Sequence, residues 1–116
     1  MIPARRAPRV PPRVRGAVAS FHQDLAARFG ERLLDVRLFG SYARGDFGPD
    51  SDADVLIVIE GLTHAEKMET FSLAADRFLD HFVRVSPLAL SSDEHGLLRR
   101  QDRLILREIA RDGVAL

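Results

Sequence analysis

Leu38-Phe39-Gly40-Ser41-Tyr42-Ala43-Arg44-Gly45, then Asp50-Ser51-Asp52-Ala53-Asp54-Val55-Leu56, is the stretch on which the reading of this chain turns. Gly40 and Ser41 stand where an apolar strand stops. A glycine there lets a ligand come close to the backbone without a Cβ in the way. If a helical turn starts at Ser41, its free amides and hydroxyl face an anion such as a terminal phosphate. Asp52 and Asp54 are two residues apart at the mouth of the next strand, so alternation puts both carboxylates on one face. Two acids that close repel unless a cation lies between them. Mg2+ suits such a place, because it keeps waters and takes its remaining ligands from substrate phosphates. Taken singly, Gly-Ser is also an ordinary turn, and Asp-x-Asp is also a pair of solvated acids.

Working outward, Val18, Phe21, Leu25 and Phe29 recur at steps of three and four, a helical stripe that Gly30 ends. Residues 33–39 read as a strand stopped by Gly40, residues 40–51 as turns, and Val55-Leu56-Ile57-Val58-Ile59 as a second strand covered on both faces. Thr63-x-x-Glu66 has the form of a capping box. The helix behind it is expected to run to about residue 81 and to bury Met68, Phe71, Ala75, Phe78, Leu79 and Phe82 as core. Phe82 to Leu90 reads as a third strand, with Pro87 placing it at an edge. Ser91-x-x-Glu94 is a second capping box. A last helix is expected at 97–111, with Leu98, Ile105 and Ile109 inward and Gly113 as terminator. The order α-β-β-α-β-α predicts an α/β (α+β) domain, a small mixed sheet flanked by helices.

Composition narrows the class. The 116 residues are 46% hydrophobic and 29% charged, which suits one globular domain. The absence of cysteine removes disulfides and thiolate metal sites. No apolar run nears the roughly 20 residues that span a bilayer, and no apolar segment follows the N-terminal arginines, so a cytoplasmic location is expected. Net charge is zero, yet residues 1–15 hold five arginines (Arg5, Arg6, Arg9, Arg13 and Arg15), no acid and four prolines. Residues 1–15 are therefore expected to form an extended Pro/Arg-rich arm, and residues 16–116 the folded domain. Such an arm can meet nucleic acid or simply solubilise; it has no aromatic residue to stack on bases. His22, His64, His81 and His95 show no ligand-like spacing and are expected at the surface or in caps.

Ten residues separate Ser41 from Asp52. This Gly-Ser-x10-Asp-x-Asp spacing, with Leu-Phe-Gly-Ser-Tyr-Ala-Arg-Gly before it and Ser-Asp-Ala-Asp-Val-Leu at its end, resembles the nucleotidyltransferase superfamily typified by polymerase beta. More narrowly, it resembles the minimal nucleotidyltransferases of bacteria and archaea. The resemblance implies that Gly40 and Ser41 bind the β- and γ-phosphates of a nucleoside triphosphate such as ATP, and that Asp52 and Asp54 hold Mg2+. Two ions of this kind stabilise the entering and leaving oxygens of an in-line displacement. Arg44 lies in the same motif, as a further phosphate contact or as a surface ion pair. Tyr42 is expected to pack. The resemblance also implies transfer of a nucleoside monophosphate to a hydroxyl, and a small helical HEPN-type protein as partner in a toxin–antitoxin pair.

One part of that pattern is missing. The family places a third carboxylate on a later strand, but residues 82–88 contain no acid, and Arg84 stands where it is expected. A shift of one residue would put Val83 or Val85 there instead. Glu60, six residues beyond Asp54 at ~3.3 Å per residue, is too far to share a metal. Loss of a general base costs about 10²–10⁴ in rate. Two functions therefore stand open: an active nucleotidyltransferase, and an inactive module of the same fold that binds and neutralises its partner.

Overall fold

The computed structural model describes residues 10–115. Helix α1 (Pro12–Phe29) is followed by a single 3-10 turn and strand β1 (Leu33–Phe39). A short helix α2 (Ser41–Arg44) then leads to β2 (Ala53–Ile59), α3 (His64–His81) and β3 (Val85–Ser91). The chain closes with α4 (Ser92–Arg100), α5 (Leu104–Asp112) and the two-residue strand β4 (Val114–Ala115). The sheet order is β3-β2-β1-β4, with β1 antiparallel to both neighbours and β2 parallel to β3. The α+β architecture with a mixed sheet is the one expected. Pro87, which cannot donate to a ladder, lies on edge strand β3.

The two faces of the sheet differ. Val36, Leu38, Val55, Ile57 and Ile59 point toward α1 and α3 and form the main core with Val14, Val18, Phe21, Leu25 and Phe29 of α1. On the other face Leu56, Val58 and Leu90 meet Leu106 and Ile109 of α5. β2 is covered on both sides, as its unbroken apolar run predicts. Both capping boxes form: Thr63 Oγ1 accepts from the Glu66 amide and Ser91 Oγ from the Glu94 amide, with the glutamates reaching back. Glu66 also takes both guanidinium nitrogens of Arg32 at 2.8 Å each. This pins the start of α3 to the start of β1. Among the described residues, no helix is long and apolar enough to cross a membrane.

Four expectations need correction. The folded part begins earlier than residue 16, since α1 starts at Pro12 and buries Val14 completely. Pro12 occupies the first helical position, where a missing N–H costs nothing and a fixed φ helps. The rest of the expected arm, residues 1–9, lies outside the described residues.

Second, the large apolar stripe of α3 is not core. Met68, Phe71, Phe78, Leu79 and Phe82 are exposed, Leu79 and Phe82 by about three-quarters (75% and 74%). The buried positions of α3 are Thr70, Ala74 and Arg77. The small side chains of Thr70 and Ala74 let α3 lie close to α1, and Arg77 reaches Ser20 and Asp24 on α1. Third, the last helix is two helices. Asp102 takes a left-handed φ of 52° between them, which rephases the turn so that Leu106 faces inward and Ile105 does not. β3 also starts later than expected, at Val85, because Phe82 adopts a left-handed cap at the end of α3.

Candidate active site

β1 carries the chain to Gly40, whose φ of 76° and ψ of −154° belong to a region that essentially glycine alone can enter. Four residues of helix follow. The amides of Ser41, Tyr42 and Ala43 precede the first intrahelical bond, which runs from Arg44 N to Gly40 O. Tyr42 and Ala43 are buried, and the Tyr42 ring stacks on Phe47 at 4.7 Å. That contact holds α2 against the loop leading to β2. Gly45 closes the turn in a left-handed conformation, φ 88°.

Asp54 is the second residue of β2, paired with Phe39 on β1 and Ser86 on β3. Its half-buried carboxylate lies directly over Gly40: a Cβ built there would collide with Asp54 Oδ2 and sit 3.2 Å from Cγ. Glycine at 40 thus serves two ends, a backbone turn only glycine tolerates and space for a carboxylate. Burial first, and then the neighbouring Asp52 charge, push the Asp54 carboxyl above the usual carboxylate range, while Arg44 opposes the rise. The structure therefore brings together Gly40, Ser41, Asp52, Asp54 and Arg44 at one mouth of the sheet. Arg44 pairs with Asp46 (Nε to Oδ2 3.2 Å) on the surface while its charge reaches Asp54.

Arg84 completes this mouth. It lies just before β3, and its backbone carbonyl accepts from the Ala53 amide at 2.8 Å. Its guanidinium pairs with Asp52 (Nε to Oδ1 3.0 Å) and donates to the carbonyl of Asp50 at 3.0 Å. The β2–β3 register places Ser86 beside Asp54. Among the described residues no cluster of three or more His, Cys, Asp or Glu is arranged to hold a metal ion. The donor set fits one hard divalent cation: two carboxylates, one of them half-buried and repelled by the other. It lacks the third acid that a pair of ions would share.

Two cavities flank this region. One of about 220 Å³ is lined by Arg13, Tyr42, Ser51, Phe78, Phe82 and Arg84, so it runs from the exposed end of α3 to Arg84, the partner of Asp52. Another, of about 350 Å³, lies over the opposite sheet face between Asp35, Arg37, Leu56, His95, Arg99 and Ile109. His95 is half-buried there, and burial, with Arg99 next, pushes its imidazole below its ordinary pKa. It was expected at the surface or in a cap, and the sequence offers no signal for a cavity wall built from four separate elements.

Residues 18–109 match the family described as "Nucleotidyltransferase domain". The chain belongs to that family. This nucleotidyltransferase chain is 36% identical over 72 residues to "Putative protein adenylyltransferase MJ0141" of Methanocaldococcus jannaschii, covering 61% of this chain and 73% of that one. It spans less than half of two further relatives from the same organism, 42% and 48%. Among solved structures, a "putative minimal nucleotidyltransferase" superposes with a TM-score of 0.59 at 30% identity, over 89% of this chain and 92% of the other. A toxin-antitoxin crystal structure with AMP-PNP has a TM-score of 0.56 at 20% identity, over 82% of this chain and 68% of that one, and shares the fold.

Proposed function

We propose that this nucleotidyltransferase transfers a nucleoside monophosphate, AMP from ATP, to a hydroxyl on a small helical protein partner of the HEPN type. The observation that carries the reading is the seat of the Asp54 carboxylate on Gly40, beside the free amides of a helical turn. Anion-binding donors and cation-binding acceptors then meet at one strand mouth. The amides of Ser41 and Tyr42 and the Ser41 hydroxyl orient the terminal phosphates, and Arg44 adds a charged contact. Asp52 and Asp54 are the residues that would hold Mg2+, which when bound neutralises charge on the phosphate under attack. The apolar face of α3 seats the partner. The cavity shared by Phe78, Phe82, Ser51 and Arg84 gives an acceptor side chain a route to the mouth. The adenylyltransferase name of the M. jannaschii relative and the toxin-antitoxin neighbour with AMP-PNP favour the same substrate and kind of partner.

The test is incubation of the purified chain with Mg2+ and α-labelled ATP, with and without the co-encoded helical protein. Label should pass to that protein, and Asp52→Asn and Asp54→Asn should each cut the rate by about 10² or more. Transfer that survives both changes rules out this site.

A second reading rests on the Asp52–Arg84 pair and the absence of a third acid. In it the chain binds its partner through α3 and neutralises it without transferring label. Partner binding with no transfer under any divalent metal would decide for this module.

A further inference from the structure

We propose that Arg84 supplies, as a fixed guanidinium, the positive charge that a second divalent ion would bring, so that the site works with one metal ion carried in by the nucleotide. The proposal rests on the reading of the site given above. Arg84 is tied to this mouth three ways: its carbonyl accepts from Ala53, its Nη2 donates to the Asp50 carbonyl, and its Nε meets Asp52 Oδ1 at 3.0 Å. The β2–β3 register puts no carboxylate beside either aspartate of the pair: Ser86 lies beside Asp54, and Arg84 meets Asp52. This side of the mouth, Arg84 just before β3 and Ser86 within it, therefore offers a cation and a hydroxyl where a carboxylate would complete a two-ion cage.

Charge arithmetic sets the consequence. Exchanging a carboxylate for a guanidinium raises the formal charge of the site by two, the charge of one divalent ion. The mouth thus reaches the same balance against a triphosphate with one cation fewer. Geometry agrees, since the Asp52 oxygen engaged by Arg84 is withdrawn from metal coordination, and a guanidinium at that oxygen repels a second ion. Folding stability does not account for the pair. Its side chains are 58% and 47% exposed, a setting in which ion pairs contribute little. Arg84 acts through Asp52 and through the site's charge, and is a positioning residue.

The experiment counts Mn2+ by electron paramagnetic resonance on the full chain with an α,β-methylene ATP analogue. Wild type should bind one Mn2+ per nucleotide complex and give an uncoupled six-line spectrum. Arg84→Asp should bind two and show the spin coupling of ions about 3.5–4 Å apart. Arg84→Lys, which keeps the charge, should stay at one. Two ions in wild type, or one in a folded Arg84→Asp, overturns the proposal while leaving the nucleotide site standing. No Mn2+ and no analogue bound to wild type overturns the site reading together with the proposal. Should Arg84→Asp fail to fold, the wild-type and Arg84→Lys counts decide alone, two ions in either being fatal.

Discussion

Gly40 concentrates more of this protein's chemistry than any charged residue does. Its positive φ and the carboxylate above it are independent reasons to exclude a side chain. Gly40→Ala should therefore lose stability on the order of 1–3 kcal/mol from backbone strain alone, read as a lower urea midpoint. It should also drive Asp54 away and weaken Mn2+ binding to the nucleotide complex. An alanine variant with unchanged midpoint and unchanged metal affinity would mean that Asp54 does not depend on this contact. Arg84 and Asp52 illustrate the opposite case, an exposed pair whose importance lies in charge and not in folding.

At the scale of elements, α3 is the informative helix. It carries two stripes at helical spacing, and the greasier one faces solvent. Leu79→Asp should leave stability within about 0.5 kcal/mol, as exposed substitutions do, yet weaken binding of the proposed helical partner at least tenfold, about 1.4 kcal/mol by isothermal titration. Unchanged affinity would move the partner elsewhere. The same helix shows why part of the fold was legible and part was not. Capping boxes at Thr63 and Ser91, the strand runs at 33–39 and 55–59, and the turn at Gly40 depend on short-range chemistry that a sequence displays. Which stripe of α3 turns inward depends on how closely α1 approaches, through Thr70, Ala74 and the Arg77–Asp24 pair. Periodicity holds no record of that distance. The break at Asp102 escaped for a related reason, because an aspartate in the left-handed region leaves no proline or glycine to mark it. The Asp-x-Asp pair and the Gly-Ser turn were legible as residues. The pairing of Arg84 with Asp52 needed the β2–β3 register.

On the scale of the whole molecule, a charged seam of Arg28, Arg32, Glu66 and Glu69 ties α1 and the 3-10 turn before β1 to α3. Hydrogen bonds from the Arg32 guanidinium, and then from the Thr63 amide, hold the Glu66 carboxyl down at about 2. A lowered folded-state pKa contributes stability that is complete above the ordinary value of 4.5 and is lost as pH falls toward about 2. Thermal unfolding followed by circular dichroism should show Glu66→Gln melting below wild type at pH 7 and converging with it near pH 2. A gap of constant size across that range would remove the seam from the acid response.

The cavity that Phe78 and Phe82 share with Ser51 and Arg84 has a consequence for regulation. Under the proposed function, a protein ligand in its α3 end would touch Arg84, the residue that pairs with Asp52, and binding there would be linked to nucleotide binding at the strand mouth. By reciprocity, the factor by which the protein ligand alters nucleotide affinity equals the factor by which nucleotide alters the grip on that ligand. Triphosphate concentration would then set how long the proposed complex lasts.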